Sequence, residues 1–211
     1  MPIQLTATQL HRLANLSAIW FDLDGTLVSS KLDFMSMRDE IGVPAGTDFI
    51  QLINHSAPKE AQRIREIIVK HEAEDARHAE ALDGAKALLE YCRQQRWPIV
   101  IITRNTRENA LKKLQAANLQ FDTLITRDDA PAKPDPSIVL QLLDEYDLNP
   151  EQVMYLGDYL YDIETARNAG LMAGIVYDSE SMEPEFAAHA DISTAGLPEL
   201  LSATKQAKQY E

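Results

Sequence analysis

Two aspartates separated by one residue are the part of this sequence best suited to chemistry. Asp22 and Asp24 stand in the string Asp22-Leu23-Asp24-Gly25-Thr26, directly after the apolar run 18–21. The run is short and bulky, which predicts a buried strand, and residues two apart on an extended segment share a face. Adjacent carboxylates repel unless one is protonated or a cation lies between them. The pair therefore favours a hard divalent cation together with a phosphate.

Taken alone, this string has alternatives. Asp and Gly are common turn formers, so an acidic turn after a strand is also compatible with it. A calcium-binding EF-hand loop is a poor match, because that loop needs a third acid or amide before its glycine and here Gly25 follows Asp24 directly. The turn interpretation weakens once the polar residues at other strand ends are counted.

Length, charge and cysteine content narrow the class of protein. The chain has 211 residues, of which 45% are hydrophobic and 25% charged, as in a globular protein with one sizeable core. A net charge of −13 argues against general binding of nucleic acid or anionic membranes. Cys92 is the single cysteine, which excludes an intrachain disulfide and fits a reducing compartment. Without a signal-peptide pattern or a membrane-spanning apolar run, we predict a cytoplasmic protein.

The elements that must position the aspartates alternate between strand and helix. The predicted buried strands are 18–23, 98–103, 121–125, 152–157 and 172–177. Helical patterns separate the last four, and another precedes the first strand at 6–15. This alternation predicts a parallel sheet with helices on both faces. We expect N-caps at Asp83 and Thr106, a helix stop at Gly170, and a final helix with Pro198 in its first turn.

Residues 29–81 break this alternation. They hold three helical patterns, punctuated by Pro44 and Pro58, and no convincing strand. We predict a core domain of residues 1–28 and 82–211 and a helical cap of residues 29–81 inserted after the first strand. Charged residues on helix faces are more often solvated than ligand-binding, but four in the insert are candidates for substrate contact: Lys31, Arg38, His55 and Lys59.

Polar residues follow four of the predicted strands, at the sheet edge where open parallel sheets bind ligands. After the first strand these residues are Asp22 and Asp24, after the second Thr103, Arg104 and Asn105, after the third Lys133, and after the fourth Asp158 and Asp162. Three carboxylates near one point can hold Mg²⁺, and a lysine with a hydroxyl can hold phosphate oxygens.

Each of the weaker members has an ordinary explanation when taken singly. Thr103 is typical of a strand end, Lys133 of a solvated loop, and Asp162 of a first helical turn, where the helix dipole favours an acid. Their joint placement favours a site.

The four motifs, in this order, resemble the haloacid dehalogenase superfamily of phosphotransferases. They are the Asp22–Thr26 string, Thr103 after 99–102, Lys133 within 132–136, and Asp158 with Asp162 in 157–162. The resemblance covers nearly the whole chain and implies an α/β fold with a Rossmann-like, doubly wound parallel sheet of at least five strands. The insert falls where one branch, which includes phosphoglycolate phosphatases and β-phosphoglucomutases, carries an α-helical cap.

The resemblance also implies a role for each site residue. Asp22 would be the nucleophile and Asp24 the general acid/base, with Thr103 and Lys133 holding the phosphoryl group. Substrate binding would involve Thr103, Arg104, Asn105 and Lys133. Metal binding would involve Asp22, Asp24 through its backbone carbonyl, Asp158 and Asp162. The chain departs from the family pattern at Arg104, which separates Thr103 from Asn105, and at the bulky Tyr159.

We therefore expect an Mg²⁺-dependent phosphatase that hydrolyses a small phosphorylated metabolite through an aspartyl-phosphate. One alternative is a phosphomutase, which would keep the same motifs and return the phosphoryl group to a sugar. Another is a non-catalytic binding protein that shares the fold. The identity of the substrate and the oligomeric state stay open at this level.

Overall fold

The computed structural model describes residue 3 and residues 5–209. At its centre is a parallel sheet with the strand order β3-β2-β1-β4-β5-β6. The strands are β1 Ala18–Phe21, β2 Val100–Ile102, β3 Thr123–Ile125, β4 Val153–Gly157, β5 Met172–Val176 and β6 Ile192–Thr194. The α-helices are α1 Ala7–Ala14, α2 Phe34–Ile41, α3 Phe49–His55, α4 Pro58–Ala76, α5 Ala85–Gln94, α6 Arg107–Ala116, α7 Ser137–Glu145, α8 Leu160–Asn168 and α9 Leu197–Ala207.

The predicted fold class is confirmed. Each of the five predicted strands contains an observed one, and β6 extends the sheet beyond them. β6 has only three residues, two of them the polar Ser193 and Thr194, so it lacks the apolar run that marks the others. Strand β1 lies between β2 and β4, where the direction of winding reverses, and the carboxyl ends of these three strands therefore meet at one edge.

Side chains of β1 alternate between two apolar layers. Ile19 and Phe21 pack in the layer that contains α1, α5 and α9. Ala18 and Trp20 pack in the opposite layer, which contains α7 and α8. All four side chains are fully buried, so the strand that carries Asp22 is held on both faces.

The predicted helix limits are mostly confirmed. Thr106 caps α6 by accepting a hydrogen bond from the Asn109 N–H, and Gly170 follows α8 with a φ of 75°. The Asp83 cap is wrong, because the N-cap of α5 is Gly84. Gly84 has a φ of 80° and its backbone packs against Pro198, where a Cβ would lie 2.7 Å from the proline Cδ. Helix α5 therefore begins one residue later than predicted, at a glycine whose contact with a distant proline the local sequence does not reveal.

The insert folds as helices α2, α3 and α4 around an apolar cluster of its own. This cluster consists of Met37, Ile41, Phe49, Ile64, Ile67 and Ile68. Its two connections to the sheet run side by side: the Ser29 N–H donates to the Glu80 carbonyl at 2.8 Å, and the Leu82 N–H donates to the Leu27 carbonyl at 3.0 Å. The division into core and cap domains stays a prediction.

Within the described ranges, no helix combines the length and apolarity needed to cross a bilayer.

Candidate active site

Three carboxylates meet at the carboxyl ends of β1 and β4. Oxygen atoms of Asp22, Asp158 and Asp162 all lie within 4.8 Å of one another. The Asp22 N–H still donates to the Leu156 carbonyl at 2.8 Å, so the sheet hydrogen bonding continues up to the residue that carries the first carboxylate. Adjacent parallel strands thus bring together acids that are more than 130 positions apart in the chain.

Two glycines allow this close approach. Gly25 has a φ of +70°, and a Cβ at this position would lie 2.0 Å from Oδ2 of Asp158. At Gly157 a Cβ would lie 2.1 Å from Cγ of Asp162. Real Cβ atoms do not come this close to other atoms, so both motifs need glycine for the carboxylates to pack against backbone.

Lys133 supplies the positive charge at the centre of the cluster. Its Nζ donates to Oδ1 of Asp22 at 2.5 Å and to Oδ1 of Asp162 at 2.7 Å. The ammonium also lies 5.6 Å from the centroid of the Tyr155 ring. Lys133, Asp22 and Asp162 are all buried, which makes their mutual attraction stronger than it would be in water.

The charge balance of the cluster is visible in its pKa values. Burial raises the pKa of Asp22 to about 7 against the opposing attraction of Lys133, and the neighbouring charges of Asp162 and Asp24 add to the increase. Burial, followed by the charges of Asp22 and Asp162, raises the pKa of Asp158 well above its usual range. Burial alone would lower the pKa of Lys133, but Asp162 and Asp22 outweigh it and raise that pKa. The lysine is therefore charged, and it does not neutralise all the carboxylates.

The donor set of this cluster fits a hard divalent cation. One lysine faces three carboxylates, so a further cation would offset the burial and the mutual repulsion that together raise the pKa of Asp22 and of Asp158. Oxygen ligands are those that Mg²⁺ and Ca²⁺ prefer. Asp162 already accepts from Lys133 on one oxygen and from the Tyr159 N–H at 3.0 Å on the other.

The Asp24 side chain points away from that cluster. One of its oxygens accepts from Nζ of Lys113 and the other from Nδ2 of Asn105. Lys113 is fully buried on α6 and also donates to Oδ2 of Asp75, at the end of α4, at 2.6 Å. Lys113 and Asp75 were not among the expected site residues. One usable signal was that Asn109 and Lys113 are spaced by four residues on a helix whose other buried positions are apolar.

Thr103 lies beside Asp24 at the end of β2. It is buried and lines the same cavity as the carboxylates. Its Oγ1 accepts from the Asn105 N–H at 3.2 Å and from Nδ2 of Asn105 at 3.0 Å. Because both of these bonds are accepted, the hydroxyl hydrogen is left to donate elsewhere.

Arg104 contacts the insert. Its Nη2 donates to both oxygens of Asp48, at 2.9 and 2.8 Å, and its guanidinium lies 4.4 Å from the centroid of the Tyr161 ring. Partial burial would raise the pKa of Asp48, but the Gln51 N–H and Arg104 outweigh burial and lower it. An ionised Asp48 therefore joins the insert to the end of β2, and the expected contact of Arg104 with substrate stays a prediction.

A second ion pair joins the insert to the sheet edge. Glu72 of α4 is buried, and its Oε2 accepts from Nη2 of Arg127 at 3.0 Å and from Nδ2 of Asn109 at 3.4 Å. Burial raises the pKa of Glu72 even though Arg127 opposes the shift. Glu72 and Arg127 were not among the expected site residues, because charged side chains on a helix and a loop resemble solvated ones.

A cavity of about 540 Å³ separates the insert from the strand ends. Its lining includes every expected site residue: Asp22, Asp24, Thr103, Arg104, Asn105, Lys133, Asp158 and Asp162. Of the four charged candidates in the insert, Arg38 lines the cavity, whereas Lys31, His55 and Lys59 are exposed and lie outside it. Tyr159 lines the cavity with its side chain half exposed.

A parallel α/β sheet that gathers carboxylates and a lysine at the reversal of its winding has a ligand site where open sheets of this kind bind their substrates. Residues 19–176 match the family model described as haloacid dehalogenase-like hydrolase. This chain belongs to that family, as its motifs predicted.

Relatives and solved structures agree with this assignment. A haloacid dehalogenase-like hydrolase domain-containing protein of Arabidopsis thaliana is 26% identical over 194 residues, which are 86% of this chain and 77% of the relative. A phosphorylated carbohydrates phosphatase of Thermotoga maritima is 26% identical over 186 residues, covering 77% of this chain and 86% of that protein. A hydrolase from Pseudomonas syringae shares the fold, with a TM-score of 0.77 over 90% of this chain and 98% of that one at 21% identity.

Proposed function

We propose that this hydrolase is an Mg²⁺-dependent phosphatase that cleaves a small phosphomonoester through an aspartyl-phosphate on Asp22. The observation that carries the proposal is the meeting of Asp22, Asp158 and Asp162 with Lys133 at one end of the cavity. A nucleophile, a cation site and a fixed positive charge are the parts that phosphoryl transfer needs. The relative named as a phosphatase of phosphorylated carbohydrates supports the same reaction class.

The reaction has two displacements at phosphorus. A carboxylate oxygen of Asp22 forms a bond to phosphorus while the bond to the leaving alcohol oxygen breaks, and Asp24 donates a proton to that oxygen. A water molecule then attacks the same phosphorus, Asp24 takes its proton, and the bond to Asp22 breaks to release inorganic phosphate. Asp24 lines the cavity and is partly exposed, and to exchange these protons its carboxyl group would turn from Lys113 and Asn105, which it contacts here, toward the leaving oxygen.

The remaining residues would position the phosphoryl group and balance its charge. Lys133 would share its positive charge between Asp22 and the phosphoryl oxygens, and the Thr103 hydroxyl would donate a hydrogen bond to one of them. Asp22, Asp158 and Asp162 would hold Mg²⁺, with Asp24 contributing its backbone carbonyl. When bound, the metal would offset the repulsion between the anionic carboxylate and the anionic phosphate.

The test is a hydrolysis screen over a panel of phosphomonoesters with Mg²⁺, comparing wild type with Asp22→Asn. Because the amide cannot form the acyl phosphate, we expect turnover to fall by about a thousandfold or more while the circular dichroism spectrum is unchanged. The matched control is Asp144→Asn, which removes an exposed carboxylate on α7 and is expected to leave the rate unchanged. Equal rates for Asp22→Asn and wild type would refute the nucleophile assignment.

Two further experiments test the role of the metal and the type of reaction. EDTA is expected to abolish turnover, and an undiminished rate in chelator would remove the metal from the mechanism. Product analysis distinguishes the phosphatase from a phosphomutase, because a mutase would isomerise hexose phosphates faster than it releases inorganic phosphate. A protein that binds these compounds without turnover would be the non-catalytic alternative.

A further inference from the structure

The wall of the cavity opposite the carboxylates is largely apolar. The insert contributes to it the apolar residues Leu32, Phe34, Met37, Phe49, Ile50 and Ile53, and its polar residues in the same lining include Ser30, Thr47, Asp48 and Glu72. Phe34 is 50% exposed although it is a large apolar residue, so this wall presents apolar surface to whatever occupies the cavity. In the proposed reaction, this is the side on which the leaving alcohol of the phosphomonoester would lie.

One cation stands within this apolar wall. Four cationic side chains line the cavity, and three are engaged by carboxylates: Arg104 by Asp48, Arg127 by Glu72 and Lys133 by Asp22. Arg38 is the fourth. Within residue 3 and residues 5–209, no carboxylate oxygen lies within the 4.0 Å that defines an ion pair for it.

The hydrogen bonding of Arg38 is also incomplete. Its Nη1 donates to the Phe34 carbonyl at 3.2 Å. Its Nε is buried and finds no acceptor in the described part of the chain. An arginine has five N–H donors in a fixed plane, and a buried donor without an acceptor costs free energy. Because Nε is closed to solvent, an anion would be bound by the charge and by the Nη donors that the Phe34 carbonyl does not occupy.

Two aromatic rings hold this guanidinium in place. Its Cζ lies 5.8 Å from the centroid of the Phe34 ring and 5.4 Å from that of Phe49. The rings themselves are stacked, with centroids 6.4 Å apart. Cation–π contacts of this kind orient the planar group, and an oriented guanidinium can bind an oxyanion such as a carboxylate through two parallel hydrogen bonds.

Size and polarity limit what else can occupy the cavity. At about 540 Å³ it has the volume of a site for a ligand larger than inorganic pyrophosphate. A sugar carries many hydroxyl groups, and each one placed against the apolar wall would lose hydrogen bonds to water without replacement. An apolar ring would instead gain from leaving water.

From these contacts we propose that the substrates are phosphomonoesters of an aromatic alcohol that carries a carboxylate, with the phosphoryl group at Asp22, the ring against Phe34 and Phe49, and the carboxylate at Arg38. This inference rests on the proposed phosphatase function. Arg38 then determines specificity and takes no part in the displacement at phosphorus.

The test compares 4-carboxyphenyl phosphate with phenyl phosphate, and glucose 6-phosphate and inorganic pyrophosphate serve as compounds expected to react poorly. For wild type we expect the highest kcat/KM with 4-carboxyphenyl phosphate. In Arg38→Gln, kcat/KM for this compound should fall by about ten- to a hundredfold, mainly through KM, because a charge-assisted hydrogen-bond pair is lost. Phenyl phosphate should be hydrolysed nearly as before, which also shows that the variant is folded.

For each protein, the quantity to measure is kcat/KM for 4-carboxyphenyl phosphate divided by kcat/KM for phenyl phosphate. The two leaving groups differ in acidity, but this difference affects wild type and variant alike and cancels when their ratios are compared. The matched control is Arg65→Gln, which removes the same charge from an exposed position on α4 and should leave the ratio unchanged. The inference is overturned if Arg38→Gln lowers both rates equally, if Arg65→Gln changes the ratio as much, or if glucose 6-phosphate is the better substrate. If wild type hydrolyses neither these phosphomonoesters nor any in the wider panel of the phosphatase screen, the proposed function itself has failed.

Discussion

A metal ion bound as proposed would compete with protons for the carboxylate oxygens of this site. Burial raises the pKa of Asp22 to about 7, and the pKa of Asp158 is raised as well. At neutral pH, Asp22 without a metal would therefore be partly protonated. A carboxyl group has to lose its proton to become a ligand, so metal binding at this site would be coupled to proton release.

This coupling predicts how Mg²⁺ affinity depends on pH. Because raising the pH through about 7 ionises Asp22, we expect the association constant for Mg²⁺ to increase between pH 6 and pH 8, by up to about tenfold per pH unit for each proton released. Isothermal titration calorimetry in two buffers with different ionisation enthalpies measures both the affinity and the number of protons. An affinity that is equal at the two pH values, with no dependence on buffer, would contradict the raised pKa.

Helices α4 and α6 meet through buried charges where insert and sheet join. Lys113 of α6 lies between Asp24, at the end of β1, and Asp75 of α4. Burial alone would lower the pKa of Lys113, but Asp24 and Asp75 outweigh it and raise that pKa, so the lysine is charged. Asp75 also accepts the Lys31 N–H at 2.6 Å and the Ser30 hydroxyl at 3.0 Å. One buried cation thus connects the proposed acid/base to both the helix and the connecting segment of the insert.

Replacing this cation should destabilise the protein strongly. Lys113→Met keeps the length of the side chain but leaves two carboxylates near each other without their partner, which is expected to cost about 3 kcal/mol in the free energy of unfolding. Urea denaturation measures the change. Lys112→Met is the matched control, because Lys112 is exposed and pairs with Glu108 on the same helix, a contact worth about 0.5 kcal/mol or less. Similar losses in the two variants would show that Lys113 does not hold this junction.

On the scale of the whole molecule, the single cysteine can be used to measure how often the larger apolar layer, which contains α1, α5 and α9, opens to solvent. Cys92 of α5 is completely buried in the layer that includes Leu88, Ile101 and Leu200. Burial raises the pKa of its thiol to about 12. Thiolate is the reactive form, so both access and ionisation are suppressed as long as this layer stays closed.

We therefore expect Cys92 to react with a chromogenic disulfide reagent only when the core opens. At pH 8 the native protein should react at least about a thousandfold more slowly than the protein in concentrated urea, and the native rate should follow the global free energy of unfolding as urea is added. Cys92→Ser gives the background. Rapid stoichiometric reaction under native conditions would mean that this layer opens locally.

Much of the sheet, and the meeting of the expected residues at one of its edges, could be predicted because both depend on local patterns. A short bulky run such as 18–21 has few alternatives to a buried strand. Parallel strands with a reversal of winding bring their carboxyl ends together, so Asp22, Thr103 and Asp158 could be expected to share one edge before any coordinates were known. Strand β6 was not predicted, because its three residues carry too little apolar pattern. The predicted N-cap at Asp83 was wrong, and the residue that takes this place, Gly84, packs against a proline of a distant helix.

The sequence by itself determined the family, the parallel sheet and the gathering of acidic residues with Lys133, because each of these follows from periodicity within one element or from motifs that lie in order along the chain. Only the tertiary structure decided that Lys113 joins Asp24 to Asp75, that Arg104 binds Asp48, and that Arg38 lies against the Phe49 ring. These contacts join side chains from separate elements. Which lysine or arginine becomes buried, and against which carboxylate, depends on how helices pack over the sheet, and local propensities do not carry that information.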